Sequence, residues 1–438
     1  FYTGRYPVSD RVTWNRVPMT LDELSLGHYL VPAGLTCDLL GKTHFVPDRE
    51  GLKRMGYEPQ GEAFERYAQG GFHPIERYDG HFEMEEGSPY RDYLKAKGYA
   101  GERPWTDYVI GSHGADGQPA SGWYLRNAPL PSRVREEDSE TAYLTTRAID
   151  YIERKGDQPW ALHLSYIKPH WPYKAPAPYH AMYSLADCQR PVRDERERRS
   201  PHPVHAAYQR QEESQSFARD EVWQAIRPVY RGLVKQIDDH IGRLLACLEH
   251  SGRLEDTLIV FTADHGDHLG DHWLGEKEYF FEAAVKVPFL LYDPGAAQRG
   301  TSVADWVECV DVVPTVLEAL GIAIPDHRIE GASLLPFTRQ GGAPEGWRGF
   351  AISQLDYAYR EARQFLGRDV SECNAFMVRE GRHKLIHWQG YAPQLFDLVE
   401  DPGELHDLGG DEALAPVRRR LQGALFEWLQ ARKGRATE

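Results

Sequence analysis

Apolar positions along the chain switch between two periods. Val222, Ile226, Val229, Tyr230, Leu233, Ile237, Ile241, Leu244, Leu245 and Leu248 recur at helical spacing, and Gly252 closes the series. Residues three and four apart share one face of a helix, so this stretch predicts a long amphipathic helix. Thr257-Leu-Ile-Val-Phe-Thr262 follows as an unbroken apolar run, the pattern of a buried parallel strand. The same order recurs upstream. Tyr143, Leu144, Ala148, Ile149 and Ile152 give an apolar face to a helix over Thr141–Lys155, with a strand over Trp160–Tyr166 behind it. Thr20-Leu-Asp-Glu23 has the form of a capping box and predicts a helix running to Pro32 and Gly34, then a short strand over Thr36–Leu40 ending at Gly41. Val287–Tyr292 reads as another buried strand, and a helix is expected near Val312–Leu320. Helices alternating with buried strands mean an α/β domain with a largely parallel sheet.

The pattern changes after about Pro344. Phe350–Ser353, Phe376–Arg379, Lys384–Trp388 and Leu395–Leu398 are short strand-like runs, and Leu414, Val417, Leu421, Leu425 and Leu429 line one face of a last helix. The expected organisation is a catalytic domain over residues 1–345 and a C-terminal subdomain over residues 346–438, built of a small antiparallel sheet and a packing helix. Two stretches lack periodicity. Gly56–Asp138 is rich in glycine, tyrosine and charge, and Arg190–Ser216 is crowded with arginine and glutamate; both read as surface excursions.

Composition narrows the function classes. The 438 residues carry 51 Lys and Arg against 66 Asp and Glu, a formal charge of −15. Nucleic acid is therefore not an expected partner, because phosphate backbones demand basic surface. No apolar run approaches the roughly 18–20 residues of a membrane span, so no membrane is expected either. A small anionic ligand remains compatible, since local charge can oppose the net charge, and a homo-oligomer is an open expectation. Cys37, Cys188, Cys247, Cys309 and Cys373 are scattered and odd in number. They fit free thiols in a reducing compartment, hence a cytoplasmic location, better than a zinc site or a disulfide framework. The first residue is Phe1 and no signal-like segment follows; processing, or a start within a longer gene, is expected.

Ligands of an open parallel sheet bind beyond the carboxyl ends of its strands, and three such ends are rich in polar groups. The first is Gly41-Lys42-Thr43-His44, the second Lys168-Pro169-His170-Trp171-Pro172, the third Ala263-Asp264-His265-Gly266-Asp267-His268. Asp264 and His265 offer one divalent cation a carboxylate oxygen and an imidazole nitrogen. Alternatively they stock an ordinary polar turn. His268, Asp271 and His272 could serve a second metal, but a supporting or surface role is the expected one. Lys42 and His44, two apart in extended chain, can face one pocket and suit holding an oxyanion and donating a proton. His170 is held in a stiff proline-flanked stretch, and Lys277 could clamp an anionic oxygen. Each has an ordinary alternative as a solvated loop or helix residue.

These segments form an ordered set: Thr3-Gly4-Arg5, Gly34-x-Thr36-x-x-x-x-Gly41-Lys42-x-His44, Lys168-Pro-His170-x-Pro172, Gln236-Ile-Asp-Asp-His-Ile-Gly242, Thr262-Ala-Asp-His-Gly266 and Leu395-Phe-Asp-Leu-x-x-Asp-Pro402. The set spans nearly the whole chain and resembles the sulfatase family of the alkaline phosphatase superfamily. The Asp264-to-His272 run and the C-terminal strand pattern look most like the phosphonate monoester hydrolases. The resemblance implies an alkaline-phosphatase-like α/β/α sandwich and metal-dependent hydrolysis of sulfate, phosphate or phosphonate esters. It puts one divalent metal (Ca2+, Mn2+ or Mg2+) on Asp264 and His265. It implies anion-binding and proton-donating roles for Lys42, His44, His170 and Lys277, and substrate binding for Asn15. It further implies a formylglycine nucleophile, formed from the cysteine of a Cys-x-Pro-x-Arg segment shortly before Thr-Gly-Arg. None of the five cysteines has that setting. The nucleophile, and a first strand with further metal ligands, are thus expected upstream of Phe1. An unfilled sheet position beside the metal residues and an inactive fragment are the corollaries. The competing readings are a non-catalytic anion-binding or scaffold protein of the same fold and a phosphoglycerol-transferase-like phosphotransferase.

Overall fold

The computed structural model describes residues 1–44, 46–59, 61–80 and 88–432. Its elements, in chain order, are α1 (Leu26–Leu30), β1 (Cys37–Gly41), β2 (His73–Arg77), α2 (Glu140–Lys155), β3 (Ala161–Ser165), α3 (Asp220–His250), β4 (Ile259–Thr262), β5 (Phe289–Tyr292), α4 (Val312–Ala319), β6 (Ala351–Asp356), β7 (Asn374–Glu380), β8 (His383–Trp388), β9 (Gln394–Asp397) and α5 (Ala415–Arg432), with short helices between them. This is the expected α/β class: a parallel sheet between helices, with smaller antiparallel sheets beside it.

β1 lies between β2 and β3 and runs parallel to both. Its five residues are all buried, as a strand covered on both faces requires. α2 starts at Ser139, whose hydroxyl accepts from the Ala142 amide at 3.3 Å, and it buries Leu144, Ala148 and Ile152. The last two pack with Leu40 of β1 and with Leu248 of α3. The long helix α3 keeps its expected span despite Pro228 in its interior.

Four expectations are corrected. First, Thr20–Glu23 does not cap a helix. Glu23 is buried against the Arg5 guanidinium at 3.1 Å, and α1 instead begins after Ser25, with His28 completing the box. A buried ion pair outcompetes a solvent-facing cap. Second, Thr257–Thr262 is not a fully buried parallel strand. Its core, β4, pairs antiparallel with β5, from Ile259 opposite Tyr292 to Thr262 opposite Phe289, and it is half-buried throughout. An apolar run reports burial in prospect, not strand direction. Third, the Gly56–Asp138 stretch is no mere surface excursion. It contains β2, which pairs with β1, and it adds Tyr78, Tyr90, Leu94 and Trp105 to a core cluster. Residues 60 and 81–87 of that stretch lie outside the described residues. Fourth, the Arg190–Ser216 segment buries Val204, Ala207 and Tyr208 against the C-terminal sheet, and even Glu197 is drawn in against His272.

β3 is hydrogen-bonded to β1 and β4 to β5. Their other edges have no strand partner among the described residues, and all nine of their residues are half-buried.

The C-terminal sheet is a plain antiparallel meander, β6-β7-β8-β9. Side chains alternate between its faces. Ala375, Met377, Ile386 and Phe396 meet Tyr279, Phe280 and Phe281, while Val378, Leu385 and Leu395 meet Leu421, Leu425 and Trp428 of α5. The sheet is thereby clamped between α5 and the segment that follows Lys277, so two cores cross the expected boundary near residue 345.

Candidate active site

The strand ends converge. β1 delivers Lys42 and His44, β3 leads to His170, β4 to Asp264 and His265, and the loop beyond brings back Lys277. The Lys277 ammonium lies 3.4 Å from His170 Nε2, and the His170 and His265 rings are 6.3 Å apart between centroids. Lys42 and Lys277 both act electrostatically on His44, His170 and Asp264. Asn15 is the exception. It sits exposed in a turn, next to Trp14, which stacks on Tyr359, and no contact ties it to the other six.

Local backbone chemistry explains the placement. Gly41 has φ 98°, and a Cβ there would lie 2.0 Å from the Ser165 carbonyl oxygen. Only glycine lets β1 leave the sheet so close to β3. Gly266 is equally tight, because a Cβ would lie 1.9 Å from the Ala283 carbonyl oxygen. The turn around His170 is anchored by buried Lys168, whose ammonium donates to the Pro172 carbonyl at 2.8 Å and faces Glu140 at 3.6 Å.

Lys277 stands in a strained loop. Leu269, His272, Trp273, Glu276 and Tyr279 all have positive φ without being glycine, a cost that surrounding structure must impose. Buried His268 does much of this. Its backbone amide donates to the Glu276 carbonyl at 2.7 Å and its Nε2 to the Glu278 carbonyl at 3.1 Å, bracketing Lys277. His272 is buried too, paired with Glu197 at 2.7 Å and stacked on Phe281. Asp271 binds Arg227 at 2.6 Å. These three residues are therefore internal ties of the loop, neither a second metal set nor surface groups.

The electrostatics fit an anion pocket. Burial, then Lys42 and Lys277, push the His44 imidazole down to about 4. Burial and Lys277 push His170 down to about 3, so both rings are neutral near pH 7. His170 Nδ1 donates to the Trp171 carbonyl at 2.7 Å, which leaves Nε2 as the acceptor facing Lys277. Burial lowers Lys42, with Asp264 opposing. Burial pushes Asp264 up, but His265, Lys42 and Lys277 outweigh it and hold the carboxyl below its usual range.

Asp264 and His265 also suit a divalent cation. His265 Nδ1 donates to the Gly266 carbonyl at 2.8 Å, which fixes the tautomer with a lone pair on Nε2. That Nε2 lies 3.6 Å from Asp264 Oδ2, so both donor atoms can turn toward one ion. Sequence reasoning missed a fourth strand end here. β2 leads to Arg77 and Asp79, and both act electrostatically on Tyr2 beside His44. Pro74 and Glu76 hid that strand from a search for apolar runs.

The fold is that of the alkaline-phosphatase-like sulfatases and phosphonate monoester hydrolases. The chain belongs to the sulfatase family, which it matches over residues 1–322. Residues 270–431 additionally match the family described as N-sulphoglucosamine sulphohydrolase, C-terminal. The chain is 30% identical to the multifunctional alkaline phosphatase superfamily protein PehA of Trinickia caryophylli, over 97% of this chain and 83% of that protein. It is 27% identical to an arylsulfatase of Clostridium perfringens, over 98% and 82% of the two chains. Among solved structures, the phosphonate monoester hydrolase of Silicibacter pomeroyi superposes with a TM-score of 0.86 at 31% identity, covering 98% of this chain and 84% of that one. Such relatives support a hydrolase, and enzymes of this family typically use a divalent metal.

Proposed function

We propose that this protein hydrolyses small anionic sulfate or phosphonate/phosphate esters with the help of one divalent metal, Ca2+, Mn2+ or Mg2+, at Asp264 and His265. The observation that carries the reading is the meeting of two lysines, two neutral imidazoles and an Asp-His pair at adjoining strand ends. Lys42 and Lys277 would hold the ester's anionic oxygens. Bound anion raises the pKa of His44 and His170, so each can take up in the complex a proton it lacks in the free protein, and pass it to the leaving oxygen. A divalent ion supplies positive charge that offsets the anion and lowers a nucleophile's pKa. The nucleophile belongs to the proposal as a formylglycine type, as the family resemblance implies.

The test is turnover of an aryl sulfate and an aryl phosphonate monoester by the intact protein, with and without chelator. Loss of turnover on chelation and its return with added metal is the expected result. Chelator-resistant turnover would sink the metal assignment. Anion binding without hydrolysis would favour a scaffold, and transfer of a phosphoryl group to an alcohol a phosphotransferase.

A further inference from the structure

We infer that the segment Arg77–Asp79, which continues β2 past the end of the sheet, is a positioning device for Lys42 and His44. The inference rests on the hydrolase reading of the rim and assigns residues that this reading leaves idle. β1 and β2 pair up to Gly41 opposite Arg77, across a register shift between Leu39 and Leu40. The Tyr78 amide then donates to the Gly41 carbonyl at 2.9 Å, so residues 77–79 run alongside Gly41–Thr43 beyond the last paired residues. Thr43, between the two functional side chains, is held from several sides. Its hydroxyl donates to Gln69 Oε1 at 3.1 Å, and both residues are buried. Its carbonyl takes a long hydrogen bond of 3.5 Å from Arg77. The Asp79 carboxylate comes close to its amide without closing a hydrogen bond. Arg77 and Asp79 are ion-paired to each other, and the pair is tied to β2 through the backbone.

In extended chain, residues on either side of Thr43 share a face. Pinning Thr43 therefore aims Lys42 and His44 together. A segment that merely filled space would have no reason to meet the carbonyls of both Gly41 and Thr43. Misplacing a catalytic group by about 1 Å can cost ~10²-fold in rate, which sets the size of the effect.

Two readouts test this on the intact protein. Hydrogen exchange of peptides covering Lys42–His44 should quicken by roughly 10-fold or more in Asp79→Ala. Arg77→Gln should produce the same change, which keeps the test alive if Asp79→Ala fails to fold. Turnover of the aryl ester should fall by about 10–10²-fold in Asp79→Ala, and by less in Asp79→Asn, which retains an acceptor for the Arg77 guanidinium. In a Lys42→Ala, His44→Ala background, Asp79→Ala should cost less than about 2-fold, because its effect passes through those residues. Unchanged exchange in both variants overturns the clamp. Faster exchange with fully additive losses of turnover overturns the positioning role. Absence of turnover by the wild-type protein against both ester classes overturns the hydrolase reading alone, because exchange still decides whether the clamp exists.

Discussion

Two lysines separate the two regions of the molecule. Lys384, in the C-terminal sheet, is fully buried, yet its ammonium donates to Glu404 at 2.6 Å, to Glu282 at 2.7 Å and to the Phe280 carbonyl at 2.8 Å. Lys277, at the rim, is half-buried, and its nearest partner is the neutral ring of His170 at 3.4 Å. Neither Lys277 nor Lys42 closes a contact ion pair among the described residues. A buried charge is tolerable only when paired and hydrogen-bonded. The C-terminal sheet meets that condition and is finished as a fold. The rim lysines act on the Asp264 carboxylate without closing a contact ion pair among the described residues.

Variants can break or sharpen the contrast. The largest effect is expected for Asp264→Ala. It should lower ester turnover by several orders of magnitude, beyond the ~10²–10³-fold of one electrostatic contact, because both activation and charge compensation go. A near-normal rate for this variant would mean that the metal pair is misassigned. Lys42→Ala and Lys277→Ala should each cost roughly 10²–10³-fold in turnover while the midpoint of thermal unfolding holds or rises. A drop in that midpoint would show that the rim lysines serve stability instead. Lys384→Met should do the opposite, because it strands the buried Glu404 carboxylate and leaves half-buried Glu282 to Arg379 alone. It should lose about 3–5 kcal/mol of stability, with turnover per folded molecule unchanged when titrated by active-site counting.

The smallest expected effect concerns pH. Burial holds the imidazole of His205 down at about 4 and that of His272 at about 3. Their unfolded values lie near 6.5. Between the unfolded and folded values the unfolded chain binds more protons, so stability rises with pH. It is fully present above about 6.5 and declines as pH falls toward 4, at up to ~1.4 kcal/mol per pH unit for each fully buried ring. Urea denaturation at pH 7.0, 6.0 and 5.0 measures the slope. His205→Gln should flatten it, and an unaltered slope in that variant would exclude the histidine as its source.

Much of this was legible in residue order. The spacing from Val222 to Leu248 describes α3, and the four short runs after Pro344 describe a sheet that pairs in sequence order. Such elements are local, since helix periodicity and hairpin succession need no distant partner. Six of the seven candidate residues lie together where the strands β1, β3 and β4 end and the Lys277 loop returns. Asn15 was placed by motif position alone, and the structure leaves it exposed on a turn. What stayed hidden depends on distant neighbours. His73-Pro-Ile-Glu-Arg77 has no apolar alternation, and becomes a strand because β1 offers it a parallel edge. Glu23 read as a cap because nothing nearby in sequence reveals Arg5 as its partner.

The chain by itself determined which elements exist, that they belong to an α/β fold, and that Lys42, His44, His170, Asp264, His265 and Lys277 fall just beyond strands or in loops. These follow from period, glycine placement and polar clustering, all properties of a few consecutive residues. Only the tertiary structure decided that β4 runs antiparallel to β5, that His268, Asp271 and His272 turn inward to hold the Lys277 loop, and that Arg77 and Asp79 stand beside Thr43. Each of those outcomes is settled by which desolvated groups find partners across tens or hundreds of residues, and that information is spread over the whole chain.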